Sequence, residues 1–171
     1  PHLLADVLTR LGRQKARVLL DPAQCPQWFV QQLTEAGAEI IEGRDPCLLP
    51  KARKNASEIA GSRAAHHRDG VAMCRFLAWF DAYVGSGELD EITVAQHLEA
   101  FRRESSELCD ISFDTISGAG PHGAIVHYRV TRSTNINVEL DSLFLIDSGG
   151  QYIDGTTDIT RTLAVGTPTE D

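Results

Sequence analysis

Apolar residues recur at helical spacing through Leu3, Leu4, Val7, Leu8 and Leu11, which predicts an amphipathic helix at the start of the chain. Residues 17–21 form a short apolar run that reads as a strand. Residues 26–36 read as a helix stopped by Gly37, and residues 38–42 as a second strand. Strands alternating with helices predict an α/β layer over residues 1–50. The pattern breaks at 44–55, where two prolines and four cationic side chains occur together, and this places a domain boundary near Pro50.

Beyond it the spacing predicts a long helix from Asn55, an N-cap with Glu58 three residues on, to about Val84. Met73, Leu77, Phe80 and Val84 form one apolar row and Ala72, Phe76, Trp79 and Tyr83 a second, so the face is broad enough to be covered on more than one side. Thr93 with Gln96 repeats the capping spacing, and Val94, Leu98 and Phe101 predict a further helix ending near Ser105. From Leu108 on, strand-like runs at 111–116, 124–130, 142–147 and 160–165 are separated by glycines. The order over 51–171 is therefore helix, helix, then sheet, an α+β arrangement.

Composition narrows the function classes. Apolar residues make up 42% and charged residues 23% of the 171, close to globular averages, which excludes wholesale disorder, collagen and coiled coil. A net charge of −8 opposes sequence-independent nucleic-acid binding, which needs cations facing phosphate. No apolar run is long enough to span a membrane, and the N-terminus lacks the basic flank and apolar core of a secretory signal. Cys25, Cys47, Cys74 and Cys109 are too far apart for a C-x-x-C pair, so reduced thiols and a cytoplasmic location are expected. The absence of an initiating methionine, and an end directly after a strand-like stretch, suggest part of a longer protein.

Acid is concentrated late: residues 135–171 carry seven carboxylates against Arg161 alone. Asp147 ends the apolar run 143–147, and Asp158 opens the run 158–162 after a loop containing Gly149, Gly150 and Gly155. If these runs pair antiparallel, both carboxylates fall at one end of the sheet on one side, where two acids need a shared proton or a cation between them. Hard carboxylate oxygens suit divalent ions. Spacing alone favours the other reading, that Asp147 and Asp154 cap turn amides. His127 sits among apolar neighbours in the expected strand 124–130, as a substrate-facing imidazole or a structural one. The adjacent pair His66 and His67 on the long helix makes a poor chelate and takes no role. Nucleophile-elbow, P-loop and zincin motifs are missing, and Gly118–Gly123 lacks dinucleotide-turn spacing.

The run Leu145-Ile-Asp-Ser-Gly-Gly-Gln-Tyr-Ile-Asp-Gly-Thr-Thr-Asp-Ile-Thr-Arg-Thr162 resembles the metal-binding signature of the creatinase/prolidase metallopeptidases, and of their aminopeptidase P branch in particular. Lys51-Ala-Arg-Lys-Asn55, Ile111-Ser-Phe-Asp-Thr-Ile-Ser117 and Gly120-Pro-His-Gly-Ala-Ile-Val-His-Tyr128 agree with it, so the likeness covers most of 51–168. It implies that 1–50 is the end of a creatinase N-terminal-like α/β domain and 51–171 the first half of a pita-bread catalytic domain. It further implies two divalent metal ions, Mn²⁺ before Zn²⁺ or Co²⁺, with Asp147 on one ion and Asp158 bridging both. His127 becomes a substrate-side imidazole, and Thr160 an outer residue that orients Asp158.

The function implied is Xaa-Pro aminopeptidase activity on proline-containing peptides, in a full-length homodimer with neither nucleic-acid nor membrane partners. The family pattern takes a ligand histidine and two ligand glutamates from a second half that does not occur in these residues. The chain by itself is therefore expected to be an inactive fragment whose exposed sheet edge and apolar helix face are covered by another copy or another chain. An Xaa-Pro dipeptidase and a non-catalytic pita-bread binding module are the alternatives. Asp147, Asp158 and His127 all being present argues against the second.

Overall fold

A computed structural model describes residues 2–167; Pro1 and the terminal acids Glu170 and Asp171 lie outside them. The chain divides into two compact units, Pro1–Lys54 and Asn55–Asp171, so the division falls four residues past the expected Pro50.

In the first unit, α1 (His2–Arg13) and α2 (Gln27–Ala36) accompany a parallel strand pair, β1 (Arg17–Leu20) and β2 (Glu39–Glu42). Parallel neighbours need a crossover, and α2 supplies it. Gly37 ends α2 in the left-handed conformation at φ 94°, its N–H bonded to the last carbonyls of the helix. The stretch read as a domain boundary contains a short helix, α3 (Leu48–Ala52). A proline is tolerated there because the first helical turn has no intrahelical partner for the missing N–H.

The second unit begins with the 28-residue α4 (Ala56–Tyr83), whose capping box is complete: Asn55 Oδ1 accepts the Glu58 N–H, and Glu58 Oε2 accepts the Asn55 N–H. Ala65, Asp69, Ala72, Met73, Phe76 and Phe80 are buried along one stripe, while Val71 and Tyr83 are exposed, so a single face is covered. The second helix, α5 (Glu91–Arg103), is capped by Asp90 accepting the Thr93 N–H, not by Thr93 itself.

Seven residues of β5 (Ser142–Ser148) lie between β4 (Ile116–Ala119) and β7 (Ile159–Val165) in an antiparallel sheet, and β3 (Leu108–Ile111) pairs separately with β6 (Gly150–Tyr152). The expected strand at 111–116 thus corrects to the gap between β3 and β4. Residues 124–130 are not a strand at all. They follow a 3₁₀ turn, Gly120–Ala124, and continue through further turns, with Ile125 and Val126 exposed, so apolar composition there does not report burial. Alternation on β5 sends Phe144, Ile146 and Ser148 inward, and Phe80 stacks on Phe144 at 5.2 Å. Leu143, Leu145 and Asp147 consequently take the opposite face.

Asp69 and Arg102 form a fully buried ion pair (Nε to Oδ1 2.6 Å, Nη2 to Oδ2 3.1 Å), and the Tyr152 hydroxyl donates to Asp69 Oδ1 at 2.8 Å. Burial alone pushes the Asp69 carboxyl up, but the hydrogen bonds and charge of Arg102, with the Tyr152 hydroxyl, hold it below its ordinary value. Burial, then the Asp69 carboxylate, push the Tyr152 phenol up. Asp69→Asn is expected to cost about 3–5 kcal/mol in urea unfolding, because it leaves a buried guanidinium without its counter-charge. Since the folded pKa of Asp69 is the lower one, its contribution is present above about pH 4 and lost as acid is added through the native value. A wild-type minus Asp69→Asn stability difference that stays constant on acidification below pH 4 contradicts this.

The bend between β5 and β7 packs without room to spare. A Cβ on Gly149 falls onto the Thr157 carbonyl oxygen and the Ser112 hydroxyl. Gly149→Ala is therefore expected to lower stability by about 1–3 kcal/mol, as overpacking against main chain does. A thermal midpoint equal to that of the wild type refutes the close approach.

Candidate metal and substrate site

Asp147 is the last outward side chain of β5, and Asp158 immediately precedes β7. Residues of the two strands pair from Ser142↔Val165 to Ser148↔Ile159, which brings the acids to the same end of the sheet. Both line one cavity of about 440 Å³, together with Phe113, Asp114, Ile116, His127, Tyr128 and Arg129. The antiparallel pairing expected of these runs is therefore present.

The turn-capping alternative can be weighed bond by bond. The bend is knitted by Thr157, whose Oγ1 accepts the Gly150 N–H and whose N–H donates to the Gly150 carbonyl, and by Ser112, which bonds Gly149 and Thr157. Asp147 takes no main-chain donor among the described residues; its Oδ1 accepts the Thr160 hydroxyl at 2.8 Å across the Asp147↔Thr160 pair. That corrects the expected partner of Thr160: it holds Asp147, not Asp158, because cross-strand register puts it opposite the former. Asp154 is engaged elsewhere, in a bidentate pair with Arg68 that holds its carboxyl below the ordinary range. Asp158 accepts no hydrogen bond among the described residues.

Of the three acids that line the cavity, Asp114 is paired with Arg129, whereas Asp147 and Asp158 meet no cationic partner among the described residues. Their chemistry fits a hard divalent cation. No cluster of three or more His, Cys, Asp or Glu occurs among the described residues.

His127 reaches the cavity from the loop, not from a strand, with a left-handed φ of 55° and an exposed ring. Tyr128 beside it is buried. At the cavity lip Arg129 pairs with Asp114. Neither residue of this pair stood out in the sequence, where each is the lone formal charge in a run expected to be a strand. Glu91 was missed as well. It follows the helix cap Asp90, where a carboxylate ordinarily serves the helix end, so nothing in the pattern marks it as fully buried. The four thiols are free, and no helix among the described residues is long and apolar enough to cross a membrane.

A profile of metallopeptidase family M24 matches residues 60–171. Xaa-Pro aminopeptidase ApepP of Drosophila melanogaster is 43% identical over 161 residues, covering 94% of this chain and 26% of the relative. Xaa-Pro aminopeptidase 1 of Dictyostelium discoideum is 44% identical over 137 residues, covering 78% of this chain and 22% of the relative. The chain thus spans about a quarter of the length of these relatives. Among solved structures, the X-prolyl aminopeptidase of Caenorhabditis elegans, described as a cytosolic enzyme with a di-nuclear active site, superposes with a TM-score of 0.83 at 31% identity over 99% of this chain and 28% of that one. X-Pro aminopeptidase of Thermotoga maritima superposes at 0.70 with 22% identity over 98% of this chain and 46% of that one, a likeness of fold. These are pita-bread enzymes, and the second unit matches part of that architecture. With the family profile covering well over half its length, the chain belongs to metallopeptidase family M24.

Proposed function

We propose that this chain contributes the aspartate side of the active site of a metal-dependent Xaa-Pro aminopeptidase. The observation that carries the reading is the convergence of Asp147, Asp158 and His127 on one cavity, in a chain 43% identical to an Xaa-Pro aminopeptidase over nearly all its length. The aminopeptidase reading is preferred to the dipeptidase one because the relatives 38–46% identical to this chain are named as Xaa-Pro aminopeptidases. A cytoplasmic location is supported by the four free thiols and by the cytosolic C. elegans neighbour.

Asp147 and Asp158 would hold two divalent ions, with manganese the first candidate, alongside ligands from outside the described residues. Bound there, the ions supply Lewis-acid polarisation of the peptide carbonyl before proline. Thr160 fixes the rotamer of Asp147 through Oδ1 and leaves Oδ2 for coordination. Asp158 keeps both oxygens available. His127, in the cavity wall, donates a ring N–H to the substrate oxygen or passes a proton toward the leaving nitrogen.

Release of the first residue from an Arg-Pro-Pro-type peptide by the complete gene product with Mn²⁺ tests the reading. Asp158→Asn is expected to lower turnover by roughly 1,000-fold, the scale of several kcal/mol of lost charge stabilisation. Unchanged turnover removes Asp158 from the metal site. Thr160→Val is expected to weaken Mn²⁺ binding by about tenfold while the fold persists; calorimetric titration giving the wild-type affinity rules out its hold on Asp147.

A further inference from the structure

Glu91 is fully buried in the first turn of α5, and the chemistry proposed above gives it no task. Its Oε1 accepts the Ala119 N–H at 2.9 Å and bonds His122 Nδ1 at 2.8 Å. Its Oε2 accepts the Tyr128 hydroxyl at 3.1 Å and the Ile136 N–H at 3.3 Å. A carboxylate has about four acceptor sites, so this one is fully engaged, as a charge removed from water has to be.

The four donors come from four separate points of residues 119–136, a stretch whose one regular piece is the 3₁₀ turn Gly120–Ala124. Main-chain groups of Glu91 add to this: its N–H donates to the Ile136 carbonyl at 3.2 Å, and its carbonyl accepts the hydroxyl of Ser117, just before the stretch, at 2.7 Å. The stretch is therefore a loop drawn closed around one buried charge. His127 projects from its middle in a left-handed conformation and makes no hydrogen bond of its own among the described residues. What fixes it is its neighbour. Tyr128 is buried, packs its ring against His122 at 4.4 Å between centroids, and is tethered through its hydroxyl to Glu91 and to the Thr134 carbonyl.

We infer that Glu91 is a positioning residue for His127: it sets the imidazole over the carboxylate pair by holding Tyr128 and both ends of the 119–136 loop on one buried carboxylate. The inference rests on the reading of His127 as the substrate-facing imidazole. Asp147 and Asp158 take none of these hydrogen bonds, since they are placed by sheet register, so the two sides of the site separate under mutation. A carboxylate is required because a glutamine turns an NH₂ group toward two of the four donors.

In the complete gene product with Mn²⁺, Tyr128→Phe and Glu91→Gln are expected to lower kcat on an Arg-Pro-Pro-type peptide by about 10–100-fold, the scale of a small misplacement of a catalytic group. Mn²⁺ affinity by calorimetry is expected to stay within about twofold of wild type, since no metal ligand moves. Amide exchange is expected to quicken across 119–136 while β5 and β7 stay protected. Folded variants with wild-type kcat overturn the inference. So does a parallel fall of kcat and Mn²⁺ affinity, which makes Glu91 a residue of the fold alone. If Glu91→Gln does not fold, Tyr128→Phe decides, because it keeps the ring and removes one hydroxyl. Failure of the peptidase reading looks different: the wild type then lacks Mn²⁺-dependent turnover, while faster exchange confined to 119–136 still reports the hold of Glu91 on the loop.

Discussion

A guanidinium with no exposed surface is the constraint on which the second unit is built. Arg102 on α5 must find compensation inside the protein, and it finds Asp69 on α4, which also takes the hydroxyl of Tyr152 on β6. Three elements distant in sequence are fixed by one charge pair that is very unfavourable to separate. The apolar core of Phe76, Phe80, Leu98, Phe144 and Ile146 supplies most of the driving force but is tolerant of small slippage. The ion pair is directional, so it selects one arrangement of helices and sheet from the several that would bury the same area.

On that frame β5 does two jobs through strict alternation. Phe144, Ile146 and Ser148 complete the core, and Asp147, on the other parity, is left for the cavity. Thr160 across the ladder then finds Asp147 because register leaves it no other neighbour. The first of the two cavity acids is thus a by-product of how a half-buried strand must run, and the second, Asp158, follows from the length of the bend.

Legibility in the sequence follows the same physics. The long helix and its Asn55–Glu58 box, the stop at Gly37 and the β5–β7 pairing were readable because each rests on local periodicity or a fixed short spacing. Asp147 and Asp158 were readable as a pair for the same reason, whereas setting aside the turn-capping reading required the partners of Asp154 and Thr157. The strand expected at 124–130 did not exist, because an apolar run forecasts burial only if something lies against it, and Val126 is 83% exposed. Glu91, Asp114 and Arg129 left no trace, because what distinguishes them is company from elsewhere in the chain.

The glycines where α4 meets the 153–155 turn carry a mechanical consequence. A side chain on Gly61 strikes the Asp154 main chain, and one on Gly155 comes within 3.0 Å of Ala65, so helix and turn touch backbone to backbone. Such a contact cannot slide. The strand that begins at Ile159 is locked to its neighbour by seven register pairs and reached through this seated turn, so it can shift only as part of the whole body. The imidazole-bearing loop hangs from a single carboxylate. Whatever give this unit has therefore falls on the loop, and the acids are the fixed side of the cavity.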